Sequence, residues 1–292
     1  MLGWIAYLTV SLVWGSTYLA IALGLDSFTP YGMVAARFTL GGLLALLAGR
    51  LRKEPGLRRA DLPHLMLVGT LLLAGSNALV TWSEQHVTSG LAAILCALVP
   101  VALVLFNGTA LSPRAWAGLG LGLLGIAILT NPLAGGVHLG GAGALLLAVL
   151  LWSFGTIHGK RHIQGRSDFT QVGFEMLTAG LIGNLAAPLT GGWLAHPLTL
   201  RAGLAVAYLG VFGSFIAFSA YIYLARVWAP AKMGTYAYLN PLVAVLLGGL
   251  VLHEPVTPRL GAGMLVILAG IAMVQLRPAS KPGIAVPAAE SA

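Results

Sequence analysis

Charged residues are scarce in this chain of 292 residues, because Asp, Glu, Lys and Arg together make up only 8% of it. Soluble domains carry roughly 25% charged residues, so the sequence has too few charges to cover a water-exposed surface. Hydrophobic residues make up 58% of the chain, and the mean hydropathy is +0.90. This composition excludes an ordinary soluble protein and indicates one that is surrounded by lipid.

Cysteine and acidic residues are also few. The single cysteine, Cys96, excludes a disulfide within the chain. Eight acidic residues stand against 16 basic ones, which gives a net charge of +8. Such a charge would suggest a nucleic-acid partner if it formed a patch on a polar domain. Apart from Arg37, the basic residues lie between or at the ends of apolar runs instead, so we expect the lipid bilayer and no nucleic acid as a partner.

Motifs of catalysis are missing as well. The sequence has no phosphate-binding loop, no nucleophile motif and no cluster of metal ligands with a recognised spacing. We therefore expect neither an enzyme nor an ATP-driven pump, and neither a cofactor nor a metal.

Long apolar runs are what the sequence does contain. A spanning helix needs roughly 20 mostly apolar residues, and ten runs meet this length. We therefore predict an all-α integral membrane protein with ten transmembrane helices, followed by a disordered cytoplasmic tail at 277–292. The predicted spans are 3–24, 31–49, 62–82, 88–108, 114–131, 140–159, 170–191, 202–225, 230–252 and 259–276.

The second half of the chain repeats the first. Pro100 and Pro241 fall at the same place in two similar apolar segments, and the tripeptide Gly-Ile-Ala at 125–127 recurs at 270–272. Such a repeat predicts two copies of one unit, at 1–131 and 140–276. Each copy has five helices. Since five is an odd number, the second copy should enter the membrane from the opposite side.

The basic loops agree with this inverted topology. In the first copy the basic loop follows the second helix, at 50–59, whereas in the second copy it follows the first helix, at 160–166. Basic loops face the cytoplasm, so both termini are predicted to be cytoplasmic. Inverted repeats of this kind open alternately to either side around a central site. The sequence therefore predicts a multi-pass secondary carrier of the inner membrane.

Several segments resemble those of a known superfamily. They are WGSTYLA at 14–20, PYGMVAARFTLGGLL at 30–44, ALVP at 97–100 and YLNPLVAVLLGGLVLHEPVTPRLGAGMLVILAGI at 238–271. Over 3–276 the chain is similar to the EamA-type ten-helix exporters of the drug/metabolite transporter superfamily. The resemblance implies a cavity lined by the first, third, fourth, sixth, eighth and ninth helices, and substrates such as amino acids. In the first copy no glutamate matches Glu254, which is a departure from the family pattern.

Polar and aromatic side chains within the spans are the candidates for a binding site, because polar groups at membrane depth are costly. Aromatic rings suit apolar or aromatic zwitterions and hydrophobic cations, through stacking and cation–π contacts. Core packing is the alternative role for the deep tryptophans. The predicted substrate-binding residues are Trp14, Thr17, Tyr18, Asn77, Trp82, Trp152, Thr156, Tyr238 and Asn240.

A second set of residues is predicted to couple or gate transport. Arg37 would bind a substrate carboxylate and Glu175 would take a proton, although each could instead contact a neighbouring loop and stabilise one state. Pro100 and Pro241 are predicted to kink their helices near the middle of the membrane. These kinks would mark the transport site, with helix packing as the alternative.

Histidines and one further acid complete the candidates. His158 is a predicted coupling or gating residue, and its i, i+4 spacing to His162 would suit a metal. The two basic residues between them argue against a metal, since they would repel a cation. Glu84 and His86 are interpreted as a solvated outer turn.

We therefore expect a secondary transporter, monomeric or homodimeric, that exports amino acids or small amphipathic metabolites by alternating access. A multidrug or cationic-metabolite exporter is one alternative. A channel and an intramembrane enzyme acting on lipid-linked substrates are the others. The sequence leaves proton antiport, exchange and facilitated diffusion open as modes of coupling.

Overall fold

The computed structural model describes residues 1–106, 113–130, 137–163, 168–228 and 236–275. These residues are helical apart from short turns and one isolated bridge between Phe28 and Leu194. Within them, six helices are long and apolar enough to cross a membrane, and four shorter helices are also apolar. The all-helical fold expected from the apolar runs is confirmed.

We label the helices in chain order. The first half contains α1 (Leu2–Gly24), α2 (Pro30–Leu51), α3 (Leu62–Val68, Gly69–Gly75 and Ser76–Ser83), α4 (Ser89–Cys96 and Val99–Phe106) and α5 (Pro113–Thr130). The second half contains α6 (Leu139–His162), α7 (Asp168–Ala186), α8 (Leu200–Tyr208, Leu209–Ile216 and Ala217–Val227), α9 (Tyr236–Val251) and α10 (Pro258–Gln275). Where the chain is described, each helix lies within a few residues of a predicted span.

Two helices, α3 and α8, share an irregularity. A π-helical stretch interrupts each of them, at Gly69–Gly75 in α3 and at Leu209–Ile216 in α8. A π turn shifts the hydrogen-bond register of a helix, and such turns are frequent at functional sites. In α3 the Asn77 side-chain amide donates to the Leu72 carbonyl at 3.2 Å. The two stretches occupy matching places in the sequence repeat.

Glycines bring corresponding helices of the two halves together. The helix α2 packs along α7, and α5 packs along α10. A Cβ atom at Gly183 would lie only 2.6 Å from the Ala35 nitrogen, and one at Gly270 only 2.6 Å from the Gly118 carbonyl oxygen. Small residues permit this backbone approach, on which helix association in lipid depends. The two halves are thus joined through equivalent helices.

The two matching prolines affect their helices differently. The helix α4 is interrupted at 97–98, just before Pro100. The helix α9 continues through Pro241 in the described chain, without an interruption like that in α4. Pro241 lies only five residues after the first described residue of α9 and removes a single bond from the helix, the one to the Ala237 carbonyl.

Candidate substrate cavity

A cavity of about 120 Å³ lies between the two halves. Its wall is formed by α1, α3, α4, α6, α8 and α9, which the family resemblance implied, and additionally by α2. We call it the central cavity. Arg37 and Pro100 line it, and so do six of the nine predicted substrate-binding residues. These six are Trp14, Thr17, Tyr18, Asn77, Trp152 and Asn240.

Arg37 supplies a positive charge to the wall of the central cavity. Its side chain is buried, with 7% of its surface exposed. Its Nε donates to Ser214 Oγ at 3.0 Å, and its Nη1 donates to Asn77 Oδ1 at 3.2 Å. Ser214 lies in the π stretch of α8, and Asn77 follows the π stretch of α3. Arg37 therefore bonds to both irregular helices, and within the described residues no hydrogen bond joins it to a loop.

Three aromatic rings separate the central cavity from a second one. Trp14, Trp152 and Phe218 line both cavities. The Trp14 ring lies 5.3 Å from that of Phe218 and 6.4 Å from that of Trp152 in edge-on contacts, which aromatic quadrupoles favour. The Trp14 indole also donates to the Gly213 carbonyl, in the π stretch of α8, at 3.0 Å. We call these three rings the aromatic partition.

The second cavity has a volume of about 280 Å³, and besides Trp14 and Trp152 it is lined by two further predicted residues, Glu175 and Thr156. It lies at the end of the molecule where α2 ends and α7 begins. We call this the Glu54 end, after a residue in the turn that follows α2. The prediction that Thr156 belongs to the same site as Asn77 is wrong for this structure. Thr156 lies one helical turn beyond Trp152, and its hydroxyl donates to the Trp152 carbonyl at 2.8 Å.

Trp82 lies outside the central cavity, contrary to prediction. Its side chain is 38% exposed, and its ring contacts that of His86 at 4.5 Å. Five residues along an α-helix turn the direction of a side chain by roughly 140°, so Trp82 and Asn77 face different ways. The side chain of Tyr238, another predicted binding residue, lies outside the described part of the structure.

Glu84 is not the solvated residue that the sequence suggested. It follows the last residue of α3, at the opposite end of the molecule, which we call the Glu84 end. Both of its carboxylate oxygens are buried, and neither has a hydrogen-bond partner within the described residues. Burial raises the pKa of Glu84 well above its ordinary value, and the nearby Glu254 carboxylate raises it further. No sequence signal distinguished Glu84 from an acid in an exposed turn.

Glu254, also at the Glu84 end, caps a helix of the other half. Its carboxylate accepts hydrogen bonds from the Ser89 nitrogen at 2.8 Å, from Ser89 Oγ at 3.0 Å and from the Gly90 nitrogen at 3.3 Å. A carboxylate at a helix N-terminus satisfies free N–H groups and interacts favourably with the helix dipole. The contact joins the turn after α9 to the start of α4.

Glu54 makes the equivalent contact at its own end of the molecule. It accepts from the Phe169 nitrogen at 3.2 Å, from the Thr170 nitrogen at 2.9 Å and from Thr170 Oγ1 at 3.0 Å, at the start of α7. In both turns a residue with φ near 55° precedes the glutamate and a proline follows it. The Glu-Pro pairs at 54–55 and 254–255 were the sequence signal for this shared role.

The remaining predicted coupling residue, His158, lines neither cavity. It lies near the end of α6, and its Nε2 is 3.0 Å from the Nδ1 of His64, at the start of α3. The i, i+4 spacing within α6 indicates His162 as a neighbour of His158 but gives no sign of His64, which is 94 residues away along the chain.

Comparison with known proteins places these features in a family. The model of the EamA-like transporter family matches residues 1–131 and again residues 139–276. The uncharacterized inner membrane transporter YedA of Escherichia coli K12 is 40% identical over 252 residues, which cover 83% of this chain and 80% of that protein. A probable terminal-alkyne amino-acid exporter of Streptantibioticus cattleyicolor is 29% identical, over 96% of this chain and 97% of its own. A solved crystal structure shares the fold with a TM-score of 0.66 and 23% identity, over 92% of this chain and 96% of its own.

Proposed function

This chain belongs to the EamA-like transporter family, and on that premise we propose that it is a secondary carrier that exports amino acids or small amphipathic metabolites across the inner membrane. The matching family and both relatives are named as transporters, which supports this proposal. The observation that carries the substrate class is a buried arginine in the wall of an aromatic cavity.

The proposed substrate is a zwitterion whose carboxylate binds Arg37. A guanidinium has five N–H donors in a planar fork that matches a carboxylate, and the two bonds to Ser214 and Asn77 use only two of them. The neighbouring rings of Trp14 and Trp152 offer apolar surface to the substrate side chain. A cationic drug is the poorer candidate, because the arginine would repel it.

The proposed architecture is ten transmembrane helices in two inverted five-helix repeats, 1–131 and 140–276, with both termini cytoplasmic. Two observations support it: α2 and α5 pack on their counterparts α7 and α10, and the π stretches occupy matching places in α3 and α8. In this topology the Glu54 end is cytoplasmic and the Glu84 end faces outward.

In this mechanism the two ends open alternately. The aromatic partition closes the path between the central cavity and the second cavity, at the cytoplasmic end, and movement of its rings opens this path. Glu54 and Glu254 each bond one half of the chain to the other, at opposite ends of the molecule. Opening of either end would strain the contact at that end. The break before Pro100 and the two π stretches are the places where helices of the cavity wall can bend.

Two carboxylates are candidates for a coupled proton. Glu175 lines the second cavity beside the aromatic partition. Glu84 lies at the outward end and has no hydrogen-bond partner in the described chain. A carboxyl group that is buried at one stage and hydrated at another would change its protonation with the conformation. Glu84 is the better candidate, since its oxygens are already out of water and lack the bonds that would stabilise their charge.

Counterflow in proteoliposomes tests the proposed function. Vesicles are preloaded with one unlabelled amino acid, aromatic and branched species first, and trace labelled substrate is added outside. A carrier accumulates label transiently when the preload is a substrate, whereas a simple pore does not. At substrate concentrations near the wild-type KM, Arg37→Gln should strongly reduce accumulation, and Trp82→Ala, away from the central cavity, should leave it intact. Folded protein that shows no counterflow with any amino acid would overturn the proposed substrate class.

A further inference from the structure

Three histidines from both halves of the chain meet at the Glu54 end. His64 Nδ1 lies 3.0 Å from His158 Nε2. The ring of His162 stacks on that of His158 with centroids 4.2 Å apart, and on that of His64 at 4.9 Å. One ring nitrogen from each residue lies within 4.8 Å of the other two. This cluster is separate from both cavities.

The hydrogen bonds of the cluster leave ring nitrogens available. His162 Nδ1 lies 3.0 Å from the backbone carbonyl of His158, and it must donate there because a carbonyl only accepts. A neutral His162 therefore has its lone pair on Nε2. Metal-binding histidines are commonly oriented in this way, with the second ring N–H bonded to a carbonyl.

The contact between His64 and His158 also suits a metal. Two neutral imidazole nitrogens can lie 3.0 Å apart only if a proton lies between them, and an ion can replace that proton. Two nitrogens bound to one tetrahedral zinc ion, each at ~2.0–2.1 Å, are roughly 3.3 Å apart. Small rotations of the rings would bring the cluster to this geometry.

We propose that His64 Nδ1, His158 Nε2 and His162 Nε2 bind a divalent transition-metal ion such as Zn²⁺, with water as a further ligand. Imidazole is the nitrogen ligand that Zn²⁺, Cu²⁺ and Ni²⁺ prefer in proteins. The two intervening basic residues do not prevent this. Lys160 and Arg161 are exposed, and the Arg161 guanidinium donates to the Phe106 carbonyl at 3.4 Å. Charges in water are screened, so they lower the affinity without excluding the ion.

The ion would connect the two halves. His64 belongs to α3 of the first half, whereas His158 and His162 belong to α6 of the second half. A metal ion that binds all three stabilises the conformation in which these helix ends lie together. If the proposed transport function is correct, the ion therefore inhibits transport by holding the Glu54 end closed.

Binding of Zn²⁺ to the detergent-solubilised protein tests the site without relying on transport. The protein is purified through a tag without histidine and titrated with Zn²⁺ in a calorimeter. We expect one ion per chain. His162→Ala, a change at an exposed side chain, should weaken binding at least about tenfold, the lower end of what loss of an outer-shell partner costs. His64→Ala should do the same.

Two control variants separate this site from the other histidines. His196→Ala changes an exposed residue, and His86→Ala removes the stacked pair of His86 and His138 at the Glu84 end. Both should bind Zn²⁺ as the wild type does. X-ray absorption should show nitrogen ligands at ~2.0–2.1 Å. The proposal is overturned if His162→Ala and His64→Ala bind Zn²⁺ unchanged, or if the wild type binds none. If the wild type binds Zn²⁺ but its transport is not inhibited by the ion, the metal site stands and the inhibitory role is contradicted.

Discussion

Arg37 and Ser214 are 177 residues apart in the chain, yet the guanidinium Nε donates to the serine hydroxyl at 3.0 Å inside the protein. The same guanidinium donates to Asn77, so one side chain of α2 contacts the irregular parts of both α3 and α8. A charge in this position can respond to a substrate and to the bending of two helices. The aromatic partition beside it and the carboxylates at the two ends of the molecule can be tested in the same way.

Arg37→Gln should raise the KM for an amino-acid substrate by about 10–100-fold, because hydrogen bonds to a charged group contribute about 1.5–3 kcal/mol. Initial rates of uptake into proteoliposomes over a range of substrate concentrations measure this change. Ser214→Ala removes one partner and keeps the charge, so its effect should be much smaller. Equal losses for an amino acid and for its methyl amide, which lacks the carboxylate, would contradict a role for Arg37 in binding the carboxylate.

Trp152→Ala should weaken the aromatic partition and allow substrate to leak between the two cavities. The variant should retain exchange but release preloaded label faster than the wild type does, because a methyl group cannot fill the space of an indole ring. Efflux of labelled substrate into buffer measures the leak. Trp116→Ala provides a matched tryptophan on the exposed face of α5. A partition without a gating role would leave efflux from both variants equal to that of the wild type.

Glu84→Gln should remove a pH dependence of stability. The pKa of Glu84 is raised in the folded protein, so the folded state holds this proton more tightly than the unfolded state does. Its contribution is complete below the ordinary carboxyl pKa and is lost as the pH rises through the folded-state value. Thermal unfolding in detergent across a pH series should show the wild type losing stability with rising pH relative to Glu84→Gln. Asp26→Asn changes an exposed carboxylate, so its stability should depend on pH as that of the wild type does. If the stability of Glu84→Gln also depends on pH as that of the wild type does, the raised pKa of Glu84 is refuted.

Glu254→Ala and Glu54→Ala should each free one helix N-terminus. Loss of a cap costs about 0.5–2 kcal/mol, so local opening should become faster at that helix alone. Hydrogen exchange measured by mass spectrometry should increase at the start of α4 in Glu254→Ala and at the start of α7 in Glu54→Ala. Each variant is the control for the other. Exchange that increases equally at both helices in both variants would show a general loss of stability and not the loss of a cap.

The helices and the cavity were largely predictable, because composition and periodicity act locally. Apolar runs have to lie in lipid and form helices there, so the positions of α1 and α2 follow from the chain alone. Polar groups within such runs are rare enough that Arg37, Asn77 and Asn240 stood out, and all three line the central cavity. The direction of a side chain around its helix is harder to predict, which is why Trp82 and Thr156 were assigned to the wrong surface.

What remained depended on contacts between distant parts of the chain. Glu84 looks like any acid in a turn until folding buries its carboxylate oxygens, and His64 meets His158 only when α3 and α6 pack together. Spacing along the chain cannot reveal such pairs, since the residues are neighbours only through the packing of whole helices. The sequence therefore specified a family, a membrane-embedded helical fold and most of the cavity lining. The tertiary structure alone established which buried groups have partners, because burial and hydrogen bonding depend on every helix that surrounds a residue.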